Sequence, residues 1–180
     1  MSDKLKAVDS TQPSSRPKCP HRQGGEVKPV NIGDHTIWVG GGMYLTEEDK
    51  SGFELLIDLR KERLPKGIKF GQQVDNVLYL PIRDYAEVAE EDVREFGKRM
   101  MHLRRRIAAG ERVLIFCAGG HGRTGLVLCY ALLQFEPTIT DPVAEIRRRY
   151  CPKAVETDGQ QAQIKRWQSG AQLAYQAMNS

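Results

Sequence analysis

One stretch constrains the fold more than any other: Val113-Leu114-Ile115-Phe116-Cys117, then Ala118-Gly119-Gly120-His121-Gly122-Arg123-Thr124, then Gly125-Leu126-Val127-Leu128-Cys129-Tyr130-Ala131-Leu132-Leu133. The first run is apolar without polar alternation, as in a strand covered on both faces, and the last is long enough for a packed helix. Glycines at 119, 120 and 122 can take φ > 0, so the connection can curl until successive backbone N–H groups converge. Such a nest at a helix N-terminus binds an oxyanion. A helix N-terminus also favours a thiolate, so Cys117 at the end of the strand is expected to be an ionised nucleophile.

Arg123 stands six residues after Cys117. Its planar fork matches two oxygens of a tetrahedral dianion, a geometry lysine cannot reproduce. The expected phosphate-binding set is therefore Ala118, Gly119, Gly120, His121, Gly122 and Arg123. A bare Cys-x5-Arg spacing is a weak signal; its weight here comes from the strand before it, the glycines within it and the Thr124-Gly125 helix start after it. A buried structural cysteine beside a glycine turn is the plain alternative for Cys117. The lysine-bearing phosphate loop of nucleotide-binding proteins does not fit, because no lysine lies between Lys98 and Lys153.

Cys-Ala-Gly-Gly-His-Gly-Arg-Thr-Gly resembles the signature loop of the cysteine-dependent protein tyrosine phosphatase superfamily, and its Gly-Gly form is most similar to the dual-specificity branch. Phe116 departs from the histidine usual before the cysteine. The resemblance implies a phosphocysteine intermediate, with Thr124 donating a hydrogen bond to the departing thiolate. Leu80-Pro81-Ile82-Arg83-Asp84-Tyr85 resembles the family's general-acid loop, about thirty residues before its cysteine. Asp84 is also the best acid on independent grounds, since it follows an apolar strand and would emerge at the same sheet edge as Cys117. Asp58, Asp75 and Asp92 are weaker candidates, and Ile57-Asp58-Leu59-Arg60 resembles a structural stretch. Ala154-Val155-Glu156-Thr157-Asp158-Gly159-Gln160 resembles the segment where some members carry water-positioning glutamines. Glu156 replaces the first, leaving Gln160 to position the hydrolytic water or to be an ordinary helix-surface residue. His121 either contacts a substrate head group or faces solvent. Cys129 reads as core, and Cys151 is a resolving thiol only if the fold brings it near Cys117.

The expected architecture is a single α/β domain over residues 30–180, with a central, mostly parallel sheet flanked by helices on both faces and the signature loop between a strand and a helix. Predicted strands are Thr36–Val39, Glu54–Leu59, Asn76–Ile82 and Val113–Phe116, with a short Thr46-capped helix and a long one from about Glu90 to Ala109 ended by Gly110. Gly40-Gly41-Gly42 reads as a turn. Residues 1–29, rich in Ser, Pro, Gln and Gly, read as a flexible tail. They hold six Lys/Arg against three Asp/Glu, leaving 21 against 20 for the rest. That near-neutral domain argues against an extended nucleic-acid surface, and the triplets Arg104–Arg106 and Arg147–Arg149 read as solvated helix faces.

The scattered cysteines, with neither a secretory segment nor a membrane span, point to a reducing cytoplasmic compartment. Cys19 and His21 alone do not make a metal site, and the chemistry needs no metal or other cofactor. A monomer acting on a phosphorylated protein, carrying phosphotyrosine or phosphoserine/threonine, or on a small phosphomonoester is expected. RNA 5′-phosphates, inositol phosphates and phosphoinositides remain alternative substrates for the same residues. A phosphate-binding pseudophosphatase and a sulfur-transfer or arsenate-reducing enzyme are further alternatives.

Overall fold

The computed structural model describes residues 27–179. The expected tail up to residue 26, with Cys19 and His21, lies outside the described residues. Strand β1 (Lys28–Ile32) begins two residues before the expected start of the domain at residue 30. It turns through Gly33, at φ +55°, into β2 (His35–Gly41). The other elements are α1 (Glu47–Lys50), β3 (Leu55–Arg60), β4 (Gln73–Val74), β5 (Val77–Ile82), α2 (Val93–Ala108), β6 (Val113–Cys117), α3 (Gly122–Phe135), α4 (Pro142–Arg149) and α5 (Asp158–Met178).

The six strands form one mixed sheet in the order β1-β2-β6-β3-β5-β4. The inner four are parallel, and each edge strand pairs antiparallel with its neighbour. Parallel pairing brings the carboxyl ends of β2, β6, β3 and β5 to one edge, where Gly41 registers with Cys117 and Arg60 with Ile82. Alternation sorts β6 between two cores. Val113, Ile115 and Cys117 join the large cluster with Phe96, Met100, Leu103 and Ile107 of α2, Leu128 of α3, Ile146 of α4 and Ile164 of α5. Leu114 and Phe116 join a small cluster with Phe53 and Leu56, bordered by Trp38, Leu45 and Val77. Both faces carry helices, very unequally: α2–α5 cover the large core, whereas among the described residues the α-helix on the other side is single-turn α1, with Lys50 above the Phe116 ring. There Arg112 extends over the rings of Trp38 and Phe53, its apolar stem adding cover.

Gly110, at φ +84°, ends α2, with Glu111 N–H reaching the Arg106 carbonyl and Gly110 N–H that of Ile107, the paired bonds of a left-handed helix stop. Asp92 lies in a tight turn (Glu90–Asp92) that precedes α2, so the helix starts three residues later than its pattern predicts. Two expectations are corrected. Gly40 and Gly41 belong to β2 instead of a turn, and a Cβ on Gly42 would lie 2.9 Å from the Phe116 ring and 3.0 Å from the Cys117 carbonyl. Close backbone approach to β6 requires that glycine. The arginine triplets are only partly solvated, because their fixed spacing meets acceptors on other elements. Arg147 donates to the Ala154 and Val155 carbonyls at 3.0 and 2.9 Å, and Arg106 pairs with Glu111.

Arg149 ties α4 to the end of α3 and to β1, pairing with Glu136 and Glu145 and donating to the Asn31 carbonyl. Arg148 and Arg149 hold the Glu145 carboxyl down to about 2, and Arg149 holds Glu136 below its ordinary value. Carboxylates depressed in the folded state contribute stability above their ordinary value of 4.5 that is lost as pH falls towards 2. Arg149→Ala is expected to cost about 1–3 kcal/mol at neutral pH, from loss of charge-assisted bonds. It should also flatten the dependence of unfolding free energy on pH in that acid window, as read by denaturant titration; an unchanged slope would show that Arg148 alone holds Glu145.

Candidate active site

The strand β6 ends at Cys117, which is 3% exposed. Gly120, at φ +73°, turns its N–H onto the Cys117 sulfur at 3.2 Å. Gly122 opens α3, and its N–H donates to Glu156 Oε2 at 2.9 Å. The Tyr150 hydroxyl donates to the Gly120 carbonyl, bracing the loop from beneath. Gly125 is needed for close approach, since a Cβ there would meet the Val155 nitrogen at 2.7 Å.

Arg123 is 1% exposed. Its Nη1 donates to Glu62 Oε2 at 2.8 Å and to the Ile82 carbonyl at 3.2 Å, and its Nη2 to Glu62 Oε1 at 3.0 Å. Nη2 also stands 3.0 Å from Asp84 Oδ1. Burial works against the guanidinium charge, but Glu62, Cys117 and Asp84 more than offset it, so its pKa is raised. Burial likewise opposes the Glu62 carboxylate, and the bonds from Arg123 outweigh it, holding Glu62 below its ordinary value. Two buried polar atoms in this cradle, Arg123 Nε and Thr124 Oγ1, have no hydrogen-bond partner among the described residues. An unpaired buried donor is costly unless a ligand satisfies it.

The fold brings Cys117, Arg123, Thr124, Asp84, Glu156 and Gln160 to one sheet edge. Asp84 leaves the end of β5 and is largely exposed. Asp58 is structural, held by the backbone N–H, Nε and Nη2 of Arg60. Gln160 is fully buried instead of lying on the helix surface. Its amide is engaged at both ends, donating to the Ala86 carbonyl at 3.0 Å and accepting the Glu156 N–H at 2.9 Å. His121 is buried instead of facing solvent, with Nδ1 3.4 Å from the Cys151 sulfur. Cys151 thus touches the loop through His121, while Cys129 sits in the core, where burial pushes its thiol far up.

Glu62 is the residue that sequence reasoning missed. Within Arg60-Lys61-Glu62-Arg63 it looks like part of a solvated charge run. The available signal is its place just past the carboxyl end of an apolar strand, at the edge where parallel strands gather their chemistry.

Residues 48–172 match the model of the Swiss Army Knife protein DSP-PTPase phosphatase domain. The chain belongs to this family. It is therefore a dual-specificity phosphatase-like member of the cysteine phosphatase superfamily. A protein of Methanocaldococcus jannaschii, MJ0215, is 34% identical over 110 residues, which span 61% of this chain and 65% of that relative, just under two thirds of its length. Among solved structures, Tk-PTP in its active form superposes with a TM-score of 0.61 at 24% identity, covering 78% of this chain and 96% of that one. Kinase associated phosphatase, with its catalytic-site cysteine replaced by serine, gives 0.65 at 16% identity, covering 83% and 97%. These two structures share the fold.

Glu62→Ala removes the two-point grip on Arg123 and lets the guanidinium turn. Affinity for orthovanadate is expected to fall at least about tenfold, the equivalent of one charged hydrogen bond. Competitive inhibition titrations measure it, and an unchanged constant would show that Asp84 and the Ile82 carbonyl suffice.

Proposed function

We propose that this protein hydrolyses phosphomonoesters through a phosphocysteine intermediate, as a protein phosphatase acting on phosphotyrosine, phosphoserine/threonine or both. The observation that carries the proposal is the convergence on one cradle of a sulfur bonded by a loop amide with a buried guanidinium that touches both its positioning carboxylate and an exposed acid. The Cys117 sulfur attacks phosphorus as the ester P–O bond breaks, and Asp84 gives its proton to the departing oxygen. Arg123 and the amides of residues 118–123 hold the phosphoryl oxygens as charge develops. Water then attacks the phosphocysteine, Asp84 takes its proton, phosphate leaves, and Thr124 stabilises the restored thiolate. Gln160, whose amide already bridges the acid loop and Glu156, would act on the water by holding those groups in place.

Surface chemistry supports a protein substrate. The groove of about 400 Å³ beside the cradle is lined by Lys61, Glu62, Arg83 and Asp84, a balanced set with no cationic excess for a polyphosphorylated ligand. Tyr85 beside the acid is 66% exposed, and Met43, whose N–H bonds the Ala118 carbonyl, is 65% exposed. These offer apolar contacts to residues flanking a phosphorylated side chain. A reducing cytoplasmic compartment suits a reactive thiolate; among the described residues no helix is long and apolar enough to cross a membrane.

Cys117→Ser is expected to abolish hydrolysis of aryl phosphates while leaving vanadate binding measurable, because the amides and Arg123 remain; retained turnover would remove the covalent mechanism. Asp84→Ala is expected to lower kcat/KM by about 10²–10⁴-fold for alkyl and phenyl phosphates and to spare strongly acidic leaving groups. Rates across a series of graded leaving-group acidity test this, and equal losses throughout would make Asp84 structural.

A further inference from the structure

Glu156 stands among the groups meant for phosphate and carries the wrong charge for that company. It accepts the N–H of Gly122, the fifth residue after Cys117 and the first of α3. Its position is fixed through the backbone. Gln160 accepts its N–H at 2.9 Å, Arg147 holds the carbonyls of Ala154 and Val155, and Gly125 packs directly against the Val155 nitrogen. Val155 itself sits at φ +60°, and Thr157 caps α5 immediately afterwards. A Cβ on Gly122 would lie 2.6 Å from Glu156 Oε2. The backbone around Glu156 is thus held against the loop, and its exposed side chain is anchored there by the bond from the Gly122 N–H.

The charges facing it come from several elements. Asp84, from the loop after β5, repels it; Arg123 of α3 and Lys153 of its own segment attract it. Cys117 and His121 belong to the loop beside it, and Glu62 lies across Arg123. Partial desolvation against the loop is the largest influence and, with Asp84, outweighs the Gly122 bond, Arg123 and Lys153, so the carboxyl of this otherwise exposed residue already ionises above its ordinary value. A phosphate-like dianion adds like charge next to a carboxylate bonded to the same loop.

We propose that Glu156 makes anion binding here proton-linked: it accepts the Gly122 N–H as a carboxylate in the free protein and takes up one proton when a dianion enters, facing it as a neutral carboxyl. Glu156 is then a specificity-determining residue. It sets the upper pH limit for binding dianionic phosphomonoesters, a limit that glutamine at this position would lift. The inference rests on the proposed phosphate cradle.

Sulfate tests it, because its charge is constant over the relevant pH range, and Cys117→Ser removes titration of the thiol. In Cys117→Ser the sulfate Kd is expected to rise with pH, by up to about tenfold per unit once Glu156 ionises. Calorimetry in buffers of different ionisation enthalpy should find about one proton taken up per sulfate bound. In Cys117→Ser/Glu156→Gln, where the amide oxygen can still accept the Gly122 N–H, that rise should vanish and binding at pH 8 should be at least about tenfold tighter. Coincident Kd–pH profiles for the two proteins would overturn the proposal. Should the glutamine variant fail to fold, the proton count on Cys117→Ser alone decides, and zero uptake overturns it. If neither protein binds sulfate at any pH, the phosphate-cradle reading itself fails, a result distinguishable from coincident profiles.

Discussion

The buried Arg123 guanidinium is the interaction on which the rest of the site depends. Taking an arginine out of water costs several kcal/mol unless paired charges and hydrogen bonds compensate it, and removing one partner of such a pair is strongly destabilising. The compensation comes from two different strand ends, β3 through Glu62 and β5 through the Ile82 carbonyl and Asp84. Arg123 thereby locks the loop after β6 to its neighbours across the sheet edge. Its Nε stays buried without a hydrogen-bond partner among the described residues. Most of the guanidinium is satisfied by the protein, and one donor is left over, as the proposed oxyanion site requires.

Around that charge the loop is held by contacts that leave no room for side chains. Gly42 lets the chain after β2 pass against Phe116 and the Cys117 carbonyl, and Gly125 lets α3 pass against Ala154 and Val155. Tyr150 reaches in from the end of α4 to take hold of the Gly120 carbonyl. Preorganisation of this kind is what the proposed oxyanion site needs, because donors held in place do not have to be reoriented when an anion arrives. The same held backbone sets Glu156 beside the helix N-terminus, where its exposed carboxylate accepts the Gly122 N–H.

Parts of this arrangement are local and were legible in the sequence. Cys117, the loop glycines, Arg123 and Thr124 are contiguous, and apolar residues on both sides give the strand and helix that aim them. The spacing of Phe96, Met100, Leu103 and Ile107 announced the buried face of α2, all four being essentially inaccessible. Asp84 could be placed because it directly follows an apolar strand. Strand β4 escaped notice because two exposed residues carry no period, and β1 because its alternating Val30 and Ile32 adjoin a polar, proline-containing stretch. Gly40 and Gly41 read as a turn because sequence does not distinguish a glycine that turns from one that permits close approach.

The sequence by itself determined which residues one βα connection gathers, since backbone curvature, the helix start and a Cys–Arg spacing act over a few residues. It also determined the fold class, because hydrophobic period and element order follow from local pattern. Only the tertiary structure decided which carboxylates meet that connection. Glu62 is 61 residues from Arg123 and Glu156 is 34 from Gly122. A lone acidic residue has no local signature that distinguishes a solvated surface charge from a partner for a buried cation. Long-range strand order makes that distinction, by bringing the ends of β3 and β5 and the start of α5 to the edge where Cys117 emerges.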